Sequence, residues 1–366
     1  MLEGAGKGAD AGADTLGLMK VSLDRGIYTR IDVARVSRGA HYTEEDCWLT
    51  PAVEDFMARM RAEYGLTSVL DPYAGDGHIL RAVGERMPGM ALHGLDLVVD
   101  KWPKNDSLLR IDAPPGALIC TNPPYLAKSS ARRKGVDRLV QRYFDASSHD
   151  DLYLVALERM LQTGCPVVAI IPETFVSSGE FRAPLRVLVI LEKHNPFGST
   201  ETPVCVACFD PRGKPADVQV YRDATHLGVL SGLTDLGNFA LVPRAAMKFN
   251  VVDGPLALKA VDGTSADDRI RFMPAAEFRY CDSMIKVSSR LMTKLQVDGL
   301  ERHDLGEFAR RCNTLLEEVR ARTQDLVLSP FKGNNKAGTR RRRLDYRLAR
   351  MIVGQVLADM DAGKVP

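Results

Sequence analysis

The chain is expected to fold as an α/β protein, a doubly wound and mostly parallel seven-stranded sheet followed by a smaller C-terminal domain. Three observations predict this. Short apolar, β-branched runs alternate with helix-period segments between residues 51 and 209. Several of those runs end in an acid or an amide: Asp71, Asp96, Asp112 and Asn122. Beyond Asp210-Pro211-Arg212-Gly213 the alternation stops, runs shorten and breakers become frequent.

Taken in order, the Gly/Ala-rich residues 1–17 read as a disordered leader. The first domain is expected over 18–212 and the second over 213–366. Thr50-Pro51 opens a helix, with Thr as N-cap and Pro at the first helical position. Val53, Phe56, Met57 and Met60 then recur at helical spacing. Residues 68–70 form a strand, 71–77 a glycine-containing loop and 79–87 a helix. Further strands are expected at 91–95, 108–111 and 117–120. A helix from 151 to 162 leads into a central strand at 167–171, with two more at 187–191 and 204–209. Ligands of such sheets bind at the carboxyl ends of the strands, where Asp71, Asp96, Asp112 and Asn122 fall.

The bulk numbers leave room for this architecture. A chain of 366 residues holds a full α/β domain and a second one. Hydrophobic content of 45% and charged content of 26% are ordinary for a water-soluble protein. No apolar run approaches the roughly 18 residues of a membrane span, so no membrane role is expected. Seven cysteines, an odd number spread along the chain, suit reduced thiols in a cytoplasm better than a disulfide framework. Cys205 and Cys208 lie in a strand and find no second pair at zinc spacing, so no metal is expected.

Net charge is only +2, but the bases are clustered. One cluster holds Lys128, Arg132, Arg133, Lys134, Arg138 and Arg142. The other holds Lys332, Lys336, Arg340, Arg341, Arg342, Arg343, Arg347 and Arg350. In a nearly neutral protein such clusters suggest local polyanion contacts, the alternative being solvated helix faces and a loop.

Two motifs carry chemistry. In Asp71-Pro72-Tyr73-Ala74-Gly75-Asp76-Gly77, Gly75 and Gly77 allow close backbone approach, while Asp71 and Asp76 repel phosphate. The loop lacks the Lys-Ser/Thr of a P-loop and the third glycine of a dinucleotide turn. It suits a ligand with a cationic amino group and no phosphate, as S-adenosylmethionine has. Asp96, 19 residues after Gly77, is placed to accept hydrogen bonds from ribose hydroxyls. Asp112 is placed to reach an adenine amine, or else is a surface acid. The second motif, Asn122-Pro123-Pro124-Tyr125, is a stiff turn after a buried strand. Its amide oxygen and a backbone carbonyl can accept from an exocyclic amine while the ring stacks on the base.

Together the two motifs resemble the amino-methyltransferases that use S-adenosylmethionine, above all the DNA adenine-N6 group. The resemblance covers roughly residues 41–210. Tyr42 and Thr50-Pro51 look like the family's cofactor motif preceding the glycine loop, so the motif order is similar to the gamma arrangement, with target recognition last. The resemblance implies catalytic roles for Asn122, Pro123 and Tyr125, and places Phe197, before Gly198-Ser199-Thr200, on the far face of a flipped base, the alternative being a core residue that closes the sheet. It implies cofactor contacts by Thr50, Pro51, Asp71, Tyr73, Gly75, Gly77, Asp96, Asp112 and Asn122. Tyr73-Ala74 and Asp76 depart from the family's usual Ala-Cys and Ser. Double-stranded DNA is the implied partner, met by Lys128, Arg132 and Arg133 and by the segment holding Lys332, Asn334, Lys336, Arg340, Arg341, Arg342 and Arg343. A bacterial or phage-encoded cytoplasmic enzyme is implied, either solitary or paired with a separate restriction endonuclease. Asn-Pro-Pro-Tyr also occurs in methyltransferases of RNA bases and of a protein glutamine, and the RNA enzymes are the serious rival.

Overall fold

The computed structural model describes residue 43 and residues 46–193, 196–197, 202–239, 246–279 and 291–363. The leader 1–17, His41, Tyr42, His194 and Gly198-Ser199-Thr200 lie outside the described residues.

The architecture is mixed α/β, built on one large sheet. Its strands are β1 (Ser68–Asp71), β2 (Ala91–Gly94), β3 (Ala117–Thr121), β4 (Val167–Pro172), β5 (Leu185–Leu191), β6 (Val204–Phe209), β7 (Gln219–Arg222) and β8 (Thr225–Val229). They lie in the order β2-β1-β3-β4-β6-β5-β7-β8. The first four are parallel, while β6 runs antiparallel between β4 and β5. The central strands β3 and β6 are buried along their whole length, as continuous apolar runs require when both faces are covered. Helix α1 (Pro51–Tyr64) begins as expected, and Val53, Phe56, Met57 and Met60 are all buried in one of the two cores flanking the sheet. Helix α2 (His78–Arg86) follows the glycine loop, and α3 (Lys128–Arg133), α4 (Asp137–Asp145) and α5 (Leu152–Gln162) lie between β3 and β4.

Three expectations are corrected. The sheet has eight strands rather than seven, and residues 108–111 are not one of them. Asn105-Asp106-Ser107 is a turn-forming run, and the amides of Leu109 and Arg110 both donate to the Asp106 carbonyl. The segment curls there, and Leu108 and Ile111 are buried as plugs in the core beside β1 and β3. The domain boundary at 212 also falls inside the sheet. Strand β7 pairs parallel with β5, and β8 pairs antiparallel with β7, covering an edge that β5 would otherwise expose.

The C-terminal part holds an antiparallel sheet ordered β11-β10-β12-β9, from Met247–Phe249 (β9), Leu256–Lys259 (β10), Arg271–Pro274 (β11) and Met292–Val297 (β12). Helices α7 (Leu305–Thr323) and α8 (Tyr346–Asp361) share a third core with it. Helix α6 (Leu230–Thr234) lies between the two sheets in sequence. A hairpin of β13 (Ser329–Asn334) and β14 (Arg340–Arg343) leans back onto the first domain.

The third correction concerns β14, the arginine run expected to meet DNA. A strand turns successive side chains to opposite faces. Arg340 and Arg342 therefore point inward, and both ion-pair with Glu173, which follows β4. Arg342 and Glu173 each keep about 1% of their surface. Arg340 also donates to the Leu191 carbonyl at 2.8 Å, and burial lowers its pKa. On the other face Arg341 donates to the Asp262 carbonyl at 2.9 Å and lies 4.9 Å from the Phe331 ring. Arg343 is half-buried and bridges to Val261. Asn334 is consumed as well, donating to the carbonyls of Glu192 and Gly338. Lys332 and Lys336 alone among the expected contacts of this segment are exposed. No helix among the described residues is long and apolar enough to cross a membrane.

Candidate active site

A cavity of about 340 Å³ opens at the carboxyl ends of β1, β2 and β3. Four expected residues line it together: Tyr73, Gly75, Asp96 and Asn122. Each arrives from a different strand end or loop, which is why a parallel sheet collects them there.

The glycine loop is tied down from two sides. Asp96 accepts from the Gly75 amide at 2.9 Å with one oxygen, and from the amides of Val98 and Val99 at 2.7 and 2.8 Å with the other. The Gly75 carbonyl accepts from the Trp102 indole at 2.8 Å. Gly77 has φ of +80°, and a Cβ there would sit 2.8 Å from the Trp102 ring, so both backbone and space require glycine. Gly77 thus shapes the loop without lining the cavity.

Asp71 lies beneath the loop, not in the cavity wall. One oxygen accepts from the Tyr73 amide at 3.0 Å and from the Thr121 hydroxyl at 2.5 Å. Burial pushes its pKa up to about 7 against those two hydrogen bonds, and the nearby Asp96 charge adds to the rise. The Tyr73 hydroxyl is buried without a hydrogen-bond partner among the described residues, as is that of Thr50. Burial, with the Asp106 charge second, raises the Tyr73 phenol well above its usual range. Thr50 holds the N-cap position of α1 without a side-chain cap bond and Pro51 starts the helix, and neither lines the cavity.

Asn122 is buried at the end of β3, where its amide nitrogen donates to the Thr43 hydroxyl at 3.2 Å. Its carbonyl oxygen accepts from the Tyr125 hydroxyl, which also reaches the Ile170 carbonyl at 2.7 Å. Pro123 is buried and Pro124 lines the cavity. Burial raises the Tyr125 phenol, so it stays protonated and donating.

Two further expected residues sit elsewhere than foreseen. Phe197 is a core residue, 4% exposed, with its ring 6.2 Å from that of Tyr125 at 64°. The two rings pack edge to face against each other, so no open aromatic slot is preformed between them. Asp112 is exposed and paired with Arg110 at 2.8 Å, away from this cavity, because the strand that was to carry it does not form.

The remaining walls were missed in the sequence. Leu97 and Val98 follow Asp96; Asn105, Asp106, Ser107 and Leu108 come from the curled segment; Leu139, Val140, Arg142 and Tyr143 come from α4. Arg142 donates to the Asp106 carboxylate at 2.8 Å, and Tyr143 reaches it at 3.0 Å. The apolar spacing of Val140, Tyr143 and Phe144 was the signal for α4, hidden among the bases around it. Arg132, Arg133, Lys134 and Arg138 are exposed around the α3–α4 turn, and Lys128 pairs loosely with Asp150 at 3.6 Å. Cys205 and Cys208 stand in β6 on opposite faces of the sheet, one in each core.

No protein-family model matches the chain, and no curated protein matches it. Solved structures with a similar chain path exist. A putative class I S-adenosylmethionine-dependent methyltransferase from Listeria monocytogenes is 14% identical, over 54% of this chain and 70% of that one, with a TM-score of 0.35. A modification subunit of a putative type I restriction enzyme from Vibrio vulnificus is 16% identical over 50% and 47%, with a TM-score of 0.34. The type IIG restriction endonuclease BpuSI is 15% identical over 52% of this chain and 28% of that one, with a TM-score of 0.35. The match thus spans less than half of the last two proteins.

Proposed function

We propose that the chain is an S-adenosylmethionine-dependent methyltransferase acting on the N6 amino group of adenine in double-stranded DNA. The observation that carries the reading is Asn122, a buried amide on a proline-fixed turn, lining a cavity whose other walls are a glycine loop and the acid ending the next strand. The residues fit the cofactor's three parts. Tyr73, with its unpartnered hydroxyl, and Gly75 stand where an amino-acid end is held. Asp96 keeps acceptor capacity for ribose hydroxyls beyond its three backbone bonds. Leu97, Val98, Leu108 and Leu139 offer apolar surface to a purine. Asp106 takes the acceptor role expected of Asp112. When bound, this cofactor supplies an electrophilic methyl group on a sulfonium.

The chain's own residues do the rest. An adenine amino lone pair is shared with the ring and is a poor nucleophile. The Asn122 oxygen and the Pro123 carbonyl accept from the two amino N–H groups and localise that lone pair. An amide oxygen has two acceptor positions, and the Tyr125 hydroxyl donates to that of Asn122. Catalysis then rests on orientation and on preplaced dipoles, with no covalent enzyme intermediate. An adenine inside a duplex is out of reach and must be flipped, at a cost of a few kcal/mol. Tyr125 supplies one stacking surface, worth about 1–3 kcal/mol. Arg132, Arg133, Lys134 and Arg138 supply phosphate contacts. The C-terminal domain takes the target-recognition role, and the enzyme works alone or beside a separate restriction endonuclease.

Transfer of labelled methyl groups from S-adenosylmethionine tests the reading. The expected outcome is label in N6-methyladenine of duplex DNA. Label confined to ribosomal RNA would move the substrate to RNA, and no transfer to either would overturn the reading.

A further inference from the structure

The second basic cluster of the sequence divides at the end of β14. Its strand half is consumed, since Arg340 and Arg342 close over Glu173. Its helix half is not. Arg347 is exposed and Arg350 half-buried on the first two turns of α8, and neither meets a carboxylate among the described residues. Positions three and four apart on a helix are neighbours, so Tyr346, Arg347 and Arg350 share one side of it. The Tyr346 ring stacks on that of Phe249 in β9, with centroids 3.9 Å and planes 13° apart. The Arg350 guanidinium lies 4.8 Å from the Phe249 ring. An arginine resting on an aromatic face keeps its charge and loses little in holding its donors outward.

Two further observations bear on this side of α8. The first turn of a helix is the positive end of its dipole and favours acids over bases. Asp345 meets that preference as N-cap, accepting from the Leu348 amide at 2.8 Å. Arg347 runs against it, while Asp359 and Asp361 stand in the last turn, where bases would suit. Arg347 therefore does not serve the helix. The chain path also fixes where the helix begins. Glu173 directly follows β4, which lies parallel to β3, the strand that leads into Asn122. Arg342 is held on Glu173, and five residues of chain reach at most about 18 Å. The backbone of Arg347 is thus within that reach of the carboxyl end of the sheet, where the cavity opens.

We infer that this side of α8, with Arg347 free and Arg350 braced on Phe249, is a phosphate-contacting surface for duplex DNA, a second grip besides the α3–α4 turn. The inference rests on the reading of duplex DNA as substrate and gives the C-terminal domain its contact residues. An arginine without a carboxylate partner displaces counterions when it meets a phosphate, so each such contact steepens the fall of affinity with salt. Contacts of this kind fix the register of the duplex and do not read its sequence.

Binding of the full chain to a fluorescent short duplex DNA, followed by anisotropy over a range of salt concentrations without cofactor, tests this. Arg347→Ala and Arg350→Ala are each expected to lower the log–log salt slope by about 0.9, and the double variant by about twice that. Arg347→Lys, which keeps the charge, is expected to hold the wild-type slope. Arg310→Ala removes an exposed arginine of α7 that is paired with Glu307, and is expected to leave the slope unchanged. A melting curve on each variant confirms that it is folded. A wild-type slope in the folded double variant would overturn the surface, and an equal drop in Arg310→Ala would reduce it to overall charge and overturn it too. A slope lowered on duplex RNA but not on DNA would overturn the choice of partner. No binding of DNA by the wild type would overturn the surface together with the substrate reading. The expected slopes without methyl transfer would overturn only that reading.

Discussion

Two arginine-rich segments of similar composition have opposite fates in this molecule. Around the α3–α4 turn, Arg132, Arg133, Lys134 and Arg138 all point to water. In β14, Arg340 and Arg342 are among the most buried charged side chains described, closed over Glu173 between the two parts of the chain. Composition does not separate the two; secondary structure does. A strand commits every second residue to each face, so four consecutive arginines cannot all be solvated once one face is covered. The loop and short helices of the first cluster impose no such alternation. A run of like charge is therefore evidence for nucleic-acid contact only after its period is known.

The largest effect that would break this contrast lies at Glu173. Removing one partner of a buried ion pair typically costs about 3–5 kcal/mol. Arg342→Ala is expected near the lower end in urea unfolding, because Arg340 still faces Glu173 at 3.6 Å. Glu173→Leu combined with Arg340→Met and Arg342→Met should cost far less, since no lone charge is left buried in the cluster. If Arg342→Ala were neutral, the pair would not fasten the two parts.

A second contrast sets Asp71 against Asp112, one buried and one exposed. The native pKa of Asp71 is raised from 3.8 to about 7. Between those values the folded state binds more protons than the unfolded one. Stability is thus greatest below about pH 4 for this group and falls as pH rises to about 7, by up to about 1.4 kcal/mol per pH unit. Asp71→Asn keeps the acceptor for Tyr73 and Thr121, and is expected to flatten that slope in denaturant titrations from pH 4 to 7. Asp112→Asn should leave the slope as it was. An unchanged slope in Asp71→Asn would place the titration elsewhere.

The smallest effects on stability belong to the exposed cluster. Arg132→Ala and Arg133→Ala should each shift stability by no more than about 0.5 kcal/mol. Each should reduce the salt dependence of DNA binding by about 0.9 in log–log slope if it meets a phosphate. Arg342→Ala, where folded, should leave that slope alone. The reverse pattern would restore the DNA role to the C-terminal run.

The sequence made the fold legible wherever a segment was buried on both sides. Val204–Phe209 is a strand with those same ends, and the helix opened by Thr50-Pro51 buries all four expected residues. It misled where apolar residues served as plugs, as with Leu108 and Ile111, because burial without a strand leaves the same apolar signature. In the site, Tyr73, Gly75, Asp96 and Asn122 converge because each ends or follows a parallel strand. Asp106 and the α4 residues were not legible, since their approach depends on a curled loop and on a helix masked by surrounding bases. Phe197 was mislocated for a physical reason too, as an aromatic beside Tyr125 packs as readily in a core as across a slot.

The most direct test is the rate of methyl transfer to duplex DNA by Asn122→Ala, alongside its affinity for S-adenosylhomocysteine. Losing one preplaced acceptor at the reacting nitrogen is expected to slow transfer by about 10²–10³-fold with the nucleoside still bound. Transfer at the wild-type rate would contradict the account at its centre.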